Sequence, residues 1–415
     1  MDVTDDQSSA TNIGLGIMQT TPDEFTMADI HKALPFPLVD GSPRESAVQL
    51  VVSSLLRNAV FSRLMEIRNK GWNNPKGDEY FNRQRKEADR GDTKNEKWFF
   101  TMMKDISDQM QKKTGALRPE ELDASTLQIL DLCMAPGAFT LSVMRHNRHR
   151  NVLAHGITLP EKDGGHPLWV DTSKVQVEEL DLTMLATEFG CETIPRSHPD
   201  HDLFLTKQPF CDQQFQLILC DGQVLRNTVH PRSEHRERFE ARRLADAQLI
   251  LALQRIMPGG TIVMLLHKVE ALNTIQLLFE FDSFSEIQLF KPIKHHEIRS
   301  SFYLIAKNVQ PHADTAQAAL KEWREDWYRS TFGGENGTGE KDKNVDMERI
   351  QYVLDTFGGR LIELGEPIWK HQADALAEKA FTRGTEEGIN SASTEATPPI
   401  VTGSAPNRYV PPHRR

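Results

Sequence analysis

Three aspartates stand where apolar segments end, the position from which a side chain reaches a ligand in an open α/β sheet. Asp131 ends the segment LQILD, Asp181 follows VEEL, and Asp221 closes FQLILC. Such a carboxylate either contacts a ligand or only shapes a turn. For Asp131 and Asp221 the strand-end position favours a role in a site. Asp181 equally suits the N-cap of a helix that begins at Thr183, so both interpretations of it stay open.

The turn that follows Asp131 is built largely from small residues, in the sequence DLCMAPGAFT. It follows a predicted strand and opens a predicted helix. Gly137 relaxes the φ/ψ limits of the chain there, so that backbone N–H groups can approach a bound ligand closely. Because the spacing is not GxGxxG, we do not expect a dinucleotide-binding fold.

The motif D-L-C-x-A-P-G-x-F resembles the cofactor loop of the FtsJ-like ribose 2′-O-methyltransferases, which bind S-adenosylmethionine (SAM). Further segments resemble that family in the same order along the chain, namely LDLTML, LILCDG, PGGTIVMLL and a final pair of strands with K-P and then S-x-x-Y. The resemblance implies SAM as cofactor, RNA as substrate, and a Rossmann-like, doubly wound α/β sheet that is mostly parallel and closes with an antiparallel hairpin.

The resemblance also implies roles for individual residues. The predicted SAM-binding residues are Asp131, Cys133, Ala135, Pro136, Gly137, Ala138, Phe139 and Asp181. Among them, Asp181 would contact the adenine, and Ala138 stands where family members usually have a second glycine. Methyl transfer to a ribose hydroxyl needs the developing alkoxide to be stabilised, which a nearby lysine ammonium does electrostatically.

In the family, a Lys-Asp-Lys-Glu tetrad supplies this chemistry, and Asp221 matches its aspartate. The other three positions carry Thr101 or Met102, Leu265 and Ser301. The lysines nearest to the expected positions are Lys104 and Lys268, so the predicted catalytic set is Asp221, Lys268 and Lys104. Since three residues along a strand reverse the face of a side chain, Lys268 enters the site only through a bulge or a strand that ends near Leu266.

Strands and helices alternate between residues 98 and 310, which predicts a parallel sheet with helices on both faces. The predicted organisation is a disordered segment at 1–45, a helical and charged extension at 46–97, the methyltransferase domain at 98–310, a helical extension at 311–383 and a disordered tail at 384–415. Three local predictions matter below: 180–185 ends the third strand, 230–260 is one long helix, and 347–357 and 368–381 are two helices.

Composition excludes several classes of protein. The 415 residues carry a net charge of −10, which excludes a histone-like basic wrapper but not a local basic site for RNA. None of the four cysteines forms a CxxC pair, so neither a zinc ribbon nor a disulfide framework is predicted. We expect no metal, no signal peptide and no membrane span, and a location in the cytoplasm or nucleus.

Charged segments are the candidates for contact with RNA. Between Arg68 and Lys97, basic and aromatic residues suit single-stranded RNA, but interleaved acidic residues favour a solvated insertion. A second basic cluster at 291–299 is as consistent with an RNA contact as with a solvated hairpin turn. The alternating charges of RERFEARR (236–243) predict an exposed helix face.

Three functions remain open from the sequence. The first is an active SAM-dependent RNA 2′-O-methyltransferase. The second is a catalytically inactive methyltransferase fold that binds RNA, or a protein partner through the terminal extensions, and the missing tetrad residues motivate it. The third is a methyltransferase of small molecules or proteins on the same sheet, since fold alone does not fix the substrate.

Overall fold

In the computed structural model, which describes residues 43–88, 93–119, 125–224, 233–340 and 345–383, seven strands form one sheet in the order β3-β2-β1-β4-β5-β7-β6. Strands β1 to β5 are parallel, and β7 runs antiparallel to both β5 and β6. The strands are β1 Thr126–Leu132, β2 Asn151–Thr158, β3 Val175–Glu179, β4 Phe215–Cys220, β5 Ile256–His267, β6 Glu286–Phe290 and β7 Ser301–Val309. The predicted fold class is thereby confirmed.

Helices cover both faces of this sheet. They are α1 Pro43–Leu55, α2 Ala59–Trp72, α3 Pro75–Ala88, α4 Thr93–Thr114, α5 Ala138–His146, α6 Glu234–Glu237, α7 Glu240–Arg255, α8 Leu272–Phe284, α9 Asp314–Phe332 and α10 Met347–Ala377. Within the described ranges, no helix is both long enough and apolar enough to span a membrane. The disordered segments predicted at 1–45 and 384–415 lie almost wholly outside the described residues.

Alternate residues of the strands enter two apolar clusters, one on each face of the sheet. Leu130 and Leu132 of β1 pack into the larger cluster, with α1, α2 and the helices from α7 onward. Leu127 and Ile129 pack into the smaller cluster, with α4 and α5. Because side chains alternate with a period of two, Asp131 continues the second series and faces α5.

The order of the strands fixes where a ligand binds. Strand β1 lies between β2 and β4, so the chain leaves β1 in opposite directions across the sheet. In such sheets the crevice opens outside the carboxyl ends of the two strands at this switch point. Asp131 is the penultimate residue of β1 and Asp221 follows β4, so both stand at that crevice.

The prediction of two separate helices at 347–357 and 368–381 was wrong, because one helix, α10, runs from Met347 to Ala377 and contains Pro367. The apolar stripe of α10 continues past Pro367 and packs against α2. This packing offsets the loss of the helical hydrogen bond that proline cannot donate. Gly365 leaves room for the Trp369 ring one turn further along the same helix, since a Cβ there would lie 2.7 Å from that ring.

Two other boundaries also differ from the predictions. Strand β3 ends at Glu179, and the segment predicted to end it forms a 3-10 turn at 182–184 that Asp181 caps. The helix predicted over 230–260 is interrupted between α6 and α7. It also stops early, because Ile256 pairs with Phe215 and so begins β5 before the Pro-Gly-Gly turn.

Candidate active site

The loop between β1 and α5 has the left-handed backbone that small residues favour. Cys133 has φ 67° and Gly137 has φ 94°. A Cβ on Gly137 would lie 2.9 Å from Val170 Cγ1, so the position requires glycine. The Met134 N–H donates to Ile157 O (2.9 Å) at the end of β2, and the Gly137 N–H donates to Met134 O (2.7 Å). The loop is thus held beside two strand ends.

The remaining predicted cofactor residues of this loop lie at different depths. Ala138 and Phe139 are buried in the smaller apolar cluster, so the Ala138 methyl group packs into the protein core. Ala135 and Pro136 share a cis peptide bond, and Pro136 O accepts the Trp169 N–H (3.0 Å). The alanine in place of glycine at 138 is therefore accommodated by the core.

Asp131 is buried at the end of the central strand, with 3% of its surface exposed. Its Oδ2 accepts a hydrogen bond from Thr140 Oγ1 on α5 (2.6 Å). Burial outweighs this hydrogen bond and raises the pKa of Asp131 from 3.8 to about 7. At neutral pH this carboxyl is therefore close to half protonated.

Asp221 lies on the same side of the sheet, and its Oδ1 is enclosed without a hydrogen-bond partner in the described part of the chain. The Tyr303 hydroxyl on β7 hydrogen-bonds to the carboxyl. Burial, and secondarily the charge of Asp131, raise the pKa of Asp221 from 3.8 to about 8. Among the described residues neither Asp131 nor Asp221 has a lysine or arginine partner, so the pair forms a site that favours a cation.

The Cys133 thiol lies close enough to the three carboxylates of the site to feel their charges. Burial and then the charges of Asp131, Asp181 and Asp221 raise the pKa of this thiol, so it stays protonated. A Cβ on Gly222 would lie 2.5 Å from Cys133 Sγ, which shows that the thiol fills the space after β4. The structure therefore brings the three predicted aspartates to one crevice, and Cys133 narrows it.

Asp181 has the geometry of an N-cap, one of its two predicted interpretations. Its Oδ1 accepts the Thr183 N–H (3.0 Å) and hydroxyl (2.8 Å), and its Oδ2 accepts Arg236 (2.6 Å) from α6. Burial opposes ionisation, but Arg236 and Thr183 outweigh it and hold the pKa of Asp181 below its usual value. Arg236 therefore takes up part of the accepting capacity of the Asp181 carboxylate, for which an adenine would compete.

The three tetrad positions that lack the family residues are apolar or neutral in the structure. Leu265 is buried in one cluster with Met102 and Tyr303, and it pairs with Tyr303 across β5 and β7. Ser301 is buried, and its Oγ has no hydrogen-bond partner in the described ranges. Thr101 is exposed on α4. The position predicted to correspond to the family's central lysine is therefore apolar.

The two lysines predicted as catalytic lie in different surroundings. Strand β5 ends at His267, so Lys268 has left the strand, with φ 53°. Burial lowers the pKa of Lys268, the charge of Glu270 opposes this shift, and the charge of Arg68 adds to it. Lys104 is half-buried on α4 without a carboxylate partner among the described residues. The catalytic roles of both lysines stay predictions.

Arg236 is the site residue that sequence reasoning missed. The alternating charges of its segment predicted an exposed face, but only 14% of the Arg236 side chain is exposed. Besides Asp181, it binds Glu240 one turn along the chain (3.0 Å). That spacing of four was a readable signal for a local pair. The partner that draws Arg236 into the crevice lies 55 residues away, and no local pattern reveals it.

The two basic segments have different structural roles. Tyr80 and Phe81 pack against Phe381, with ring centroids 5.2 and 5.7 Å away, so they join the two terminal extensions. Lys291 is buried and donates to three backbone carbonyls within 296–301 at 2.6–3.0 Å, which shapes the β6–β7 loop. In the described part of the chain, no group of histidine, cysteine and acidic side chains is arranged to hold a metal ion.

Comparison with known proteins gives a family and several distant structural likenesses. The family model described as FtsJ-like methyltransferase matches residues 108–309. No curated protein matches the chain. Similar solved structures include a Plasmodium falciparum protein assigned as a ribosomal RNA methyltransferase (16% identity, 49% of this chain and 93% of that chain, TM-score 0.30). Human methyltransferase-like protein 13 in complex with SAH is also similar (13%, 58% and 94%, 0.30).

Proposed function

We propose that this chain, whose residues 108–309 match the FtsJ-like methyltransferase family model, transfers a methyl group from SAM to a ribose 2′-hydroxyl of RNA. The observation that supports SAM as donor is the buried pair Asp131 and Asp221 without a basic partner in the described ranges. SAM carries an ammonium and a sulfonium, and a cation is the ligand that such a pair favours. The family match supports RNA ribose as the acceptor.

The residues that would hold SAM surround the crevice. The backbone from Cys133 to Gly137 would line its methionine part, since this loop is fixed beside the ends of β1 and β2. Asp131 would pair with the ammonium. Asp181 would receive the adenine once Arg236 has moved.

Bound SAM supplies an electrophilic methyl group, and the chain's own residues must activate the ribose hydroxyl. We assign to Asp221 the acceptance of that hydroxyl proton, because its raised pKa makes its carboxylate a stronger base than an ordinary aspartate. The Tyr303 hydroxyl fixes the orientation of the carboxyl. Leu265 and Met102 exclude water beside it.

Lys104 is the proposed source of positive charge at the acceptor. It follows Phe100 by one helical turn, and Phe100 packs on Trp169, whose N–H is bonded to the cofactor loop. The charges beside Lys268 are those of the Arg68–Glu270 pair, so we place Lys268 second. Lys104→Met should then lower methyl transfer more than Lys268→Met.

The test is transfer of labelled methyl groups from SAM to RNA. A 2′-O-methylated linkage resists alkaline hydrolysis, so labelled dinucleotides after alkali identify the ribose as acceptor. Asp221→Asn should lower the rate by about 100-fold or more while SAM binding persists. Label that enters only bases, proteins or small molecules would contradict the ribose assignment.

A second candidate is an inactive methyltransferase fold that binds RNA or a protein partner. Two observations favour it, namely the apolar surroundings of Leu265 and the occupation of Asp181 by Arg236. It predicts that RNA or the partner binds with equal affinity to the wild type and to Asp221→Asn, and that no label is transferred. Any ribose methylation that depends on Asp221 would exclude it.

A further inference from the structure

Three consecutive aromatic side chains at the start of α4 each meet a ring from another loop. The ring centroids are 6.4 Å apart for Trp98 and His295 and 5.8 Å apart for Phe99 and His166. Phe100 lies 5.5 Å from Trp169, with the planes inclined by 36°. We call Trp98, Phe99, Phe100, His166, Trp169 and His295 the aromatic row.

The aromatic row crosses the edge of the sheet that carries the site. His166 and Trp169 belong to the loop after β2. The backbone N–H of Trp169 donates to Pro136 O in the cofactor loop (3.0 Å). His295 belongs to the loop before β7, whose first residue, Ser301, pairs with the last residue of β5. Both loops therefore leave the sheet at the end where Asp131 and Asp221 stand.

The row is held in place from both sides. The His295 imidazole bonds to Asp105 (2.8 Å), and the Ile293 N–H donates to Gln109 Oε1 (2.8 Å), so the β6–β7 loop is fixed to α4. The rings are thus positioned before any partner arrives, which lowers the entropy that binding must overcome.

The row also combines exposed ring surface with charges of both signs, since burial lowers the pKa of His166 and the charge of Glu96 opposes that shift. Trp98 is 60% exposed, and the other five residues are half-buried. Lys97, Lys162 and Lys294 are exposed nearby in the chain, and none of them has a carboxylate partner among the described residues. Asp105 contacts the His295 imidazole at 2.8 Å. Flat rings with adjacent ammonium groups suit stacked bases on a phosphate backbone better than they suit an apolar helix.

We propose that the aromatic row is a stacking platform that holds single-stranded RNA across the active face, with a base on Trp98. The inference rests on the proposed function, because it concerns the acceptor of the same site. Stacking on a ring tolerates any base, so the platform would select unpaired RNA rather than a sequence. A strand stacked on Trp98 would then run along the edge of the sheet at which Asp221 stands.

The experiment compares wild type, Trp98→Ala, Trp98→Phe and the control Trp72→Ala, since Trp72 is 41% exposed on α2. The probes are a fluorescent single-stranded 12-nucleotide RNA and its duplex, followed by anisotropy, with SAM binding measured separately. Trp98→Ala should bind the single strand about 10-fold more weakly, while Trp98→Phe stays within about 3-fold of wild type. Trp72→Ala should equal wild type, and the duplex should show no difference.

Each other result is decisive. Equal binding of the single strand by wild type and Trp98→Ala overturns the platform and leaves the proposed function standing. A wild type that binds SAM but neither RNA overturns the RNA acceptor and the platform together. If Trp98→Ala weakens binding of the duplex as much as binding of the single strand, the platform is also overturned. Stacking on Trp98 requires an unpaired base.

Discussion

Asp221 holds its proton as tightly as an ordinary histidine or more so, since its pKa is raised to about 8 and that of Asp131 to about 7. In an unfolded chain both would titrate near 4. The folded protein therefore binds more protons than the unfolded chain between about pH 4 and 8. Their contribution to stability is full below pH 4 and is lost as the pH rises through the folded values.

Asp221→Asn should flatten this pH dependence. Wild type should lose free energy of unfolding between pH 5 and 8, and the variant should lose at least about 1 kcal/mol less, because one pKa unit corresponds to about 1.4 kcal/mol. Urea unfolding at three pH values measures the free energy of unfolding of both proteins as a function of pH. Asp212→Asn is the control, since Asp212 is exposed. Parallel curves for Asp221→Asn and wild type would contradict the raised pKa.

Leu265→Lys should return an ammonium to the position of the family's central lysine. Because Leu265 pairs with Tyr303, whose hydroxyl bonds to Asp221, the new ammonium should stabilise the developing alkoxide beside Asp221 and raise methyl transfer about 10-fold or more. Leu265→Met, a volume-conserving change, is the control. The measurement is the rate of methyl transfer by both variants with saturating SAM. A folded Leu265→Lys protein that is no faster than Leu265→Met would show that this position does not face the acceptor.

At the scale of elements, α6 carries the arginine that binds Asp181 at the crevice. It has four residues, so its own backbone hydrogen bonds do not hold it in place. Two side-chain contacts do: Arg236 binds Asp181 (2.6 Å), and His235 binds Asp200 (2.9 Å). These contacts form between segments distant in sequence, so they depend on the folded protein, in which the sheet brings those segments together.

Arg236→Ala should therefore strengthen SAM binding. Wild type must separate a partly buried ion pair before adenine reaches Asp181, and the variant need not, so its Kd should fall about 10-fold. Isothermal titration calorimetry measures the change, with Arg238→Ala on the same segment as control. Weaker binding by Arg236→Ala would instead place the guanidinium among the groups that hold SAM.

The elements near the motifs were largely predictable from sequence, because apolar segments, turns and period two are local signals. They located β1, β2, β4 and β7 and placed Asp131 and Asp221 at the ligand edge. The predictions that failed concern features that tertiary contacts decide. The join of α10 across Pro367 depends on packing against α2, and the position of Arg236 depends on Asp181. Raised pKa values depend on burial, which one sequence does not specify.

At the scale of the whole molecule, the two terminal extensions form one layer on the larger apolar cluster. Phe61 of α2 packs against Trp369 of α10, with ring centroids 4.9 Å apart. Arg68 of α2 binds Glu270 after β5 (2.6 Å) and Gln372 of α10 (2.7 Å). The extensions are thus tied to each other and to the sheet that carries the site.

Two arginines of α2 allow a matched comparison between a buried and an exposed ion pair of the terminal extensions. Arg68 and Glu270 are 8% and 10% exposed, whereas Arg63 and Asp374 are both 46% exposed. Arg68→Ala should cost about 3–5 kcal/mol of unfolding free energy, because it leaves a buried carboxylate unpaired. Arg63→Ala should cost about 1 kcal/mol or less. Similar costs in urea unfolding would contradict the difference in burial.

The contact between α2 and α10 has a consequence for synthesis on the ribosome. Asn58 and Glu366, which are hydrogen-bonded, are 308 residues apart in the chain. At about 5–20 residues per second, α2 emerges roughly 15–60 s before its partner helix. For that interval its apolar face is uncovered, and a chaperone that recognises exposed hydrocarbon has time to bind it. Nascent chains stalled before α10 should therefore retain such a chaperone, and chains released after α10 should lose it.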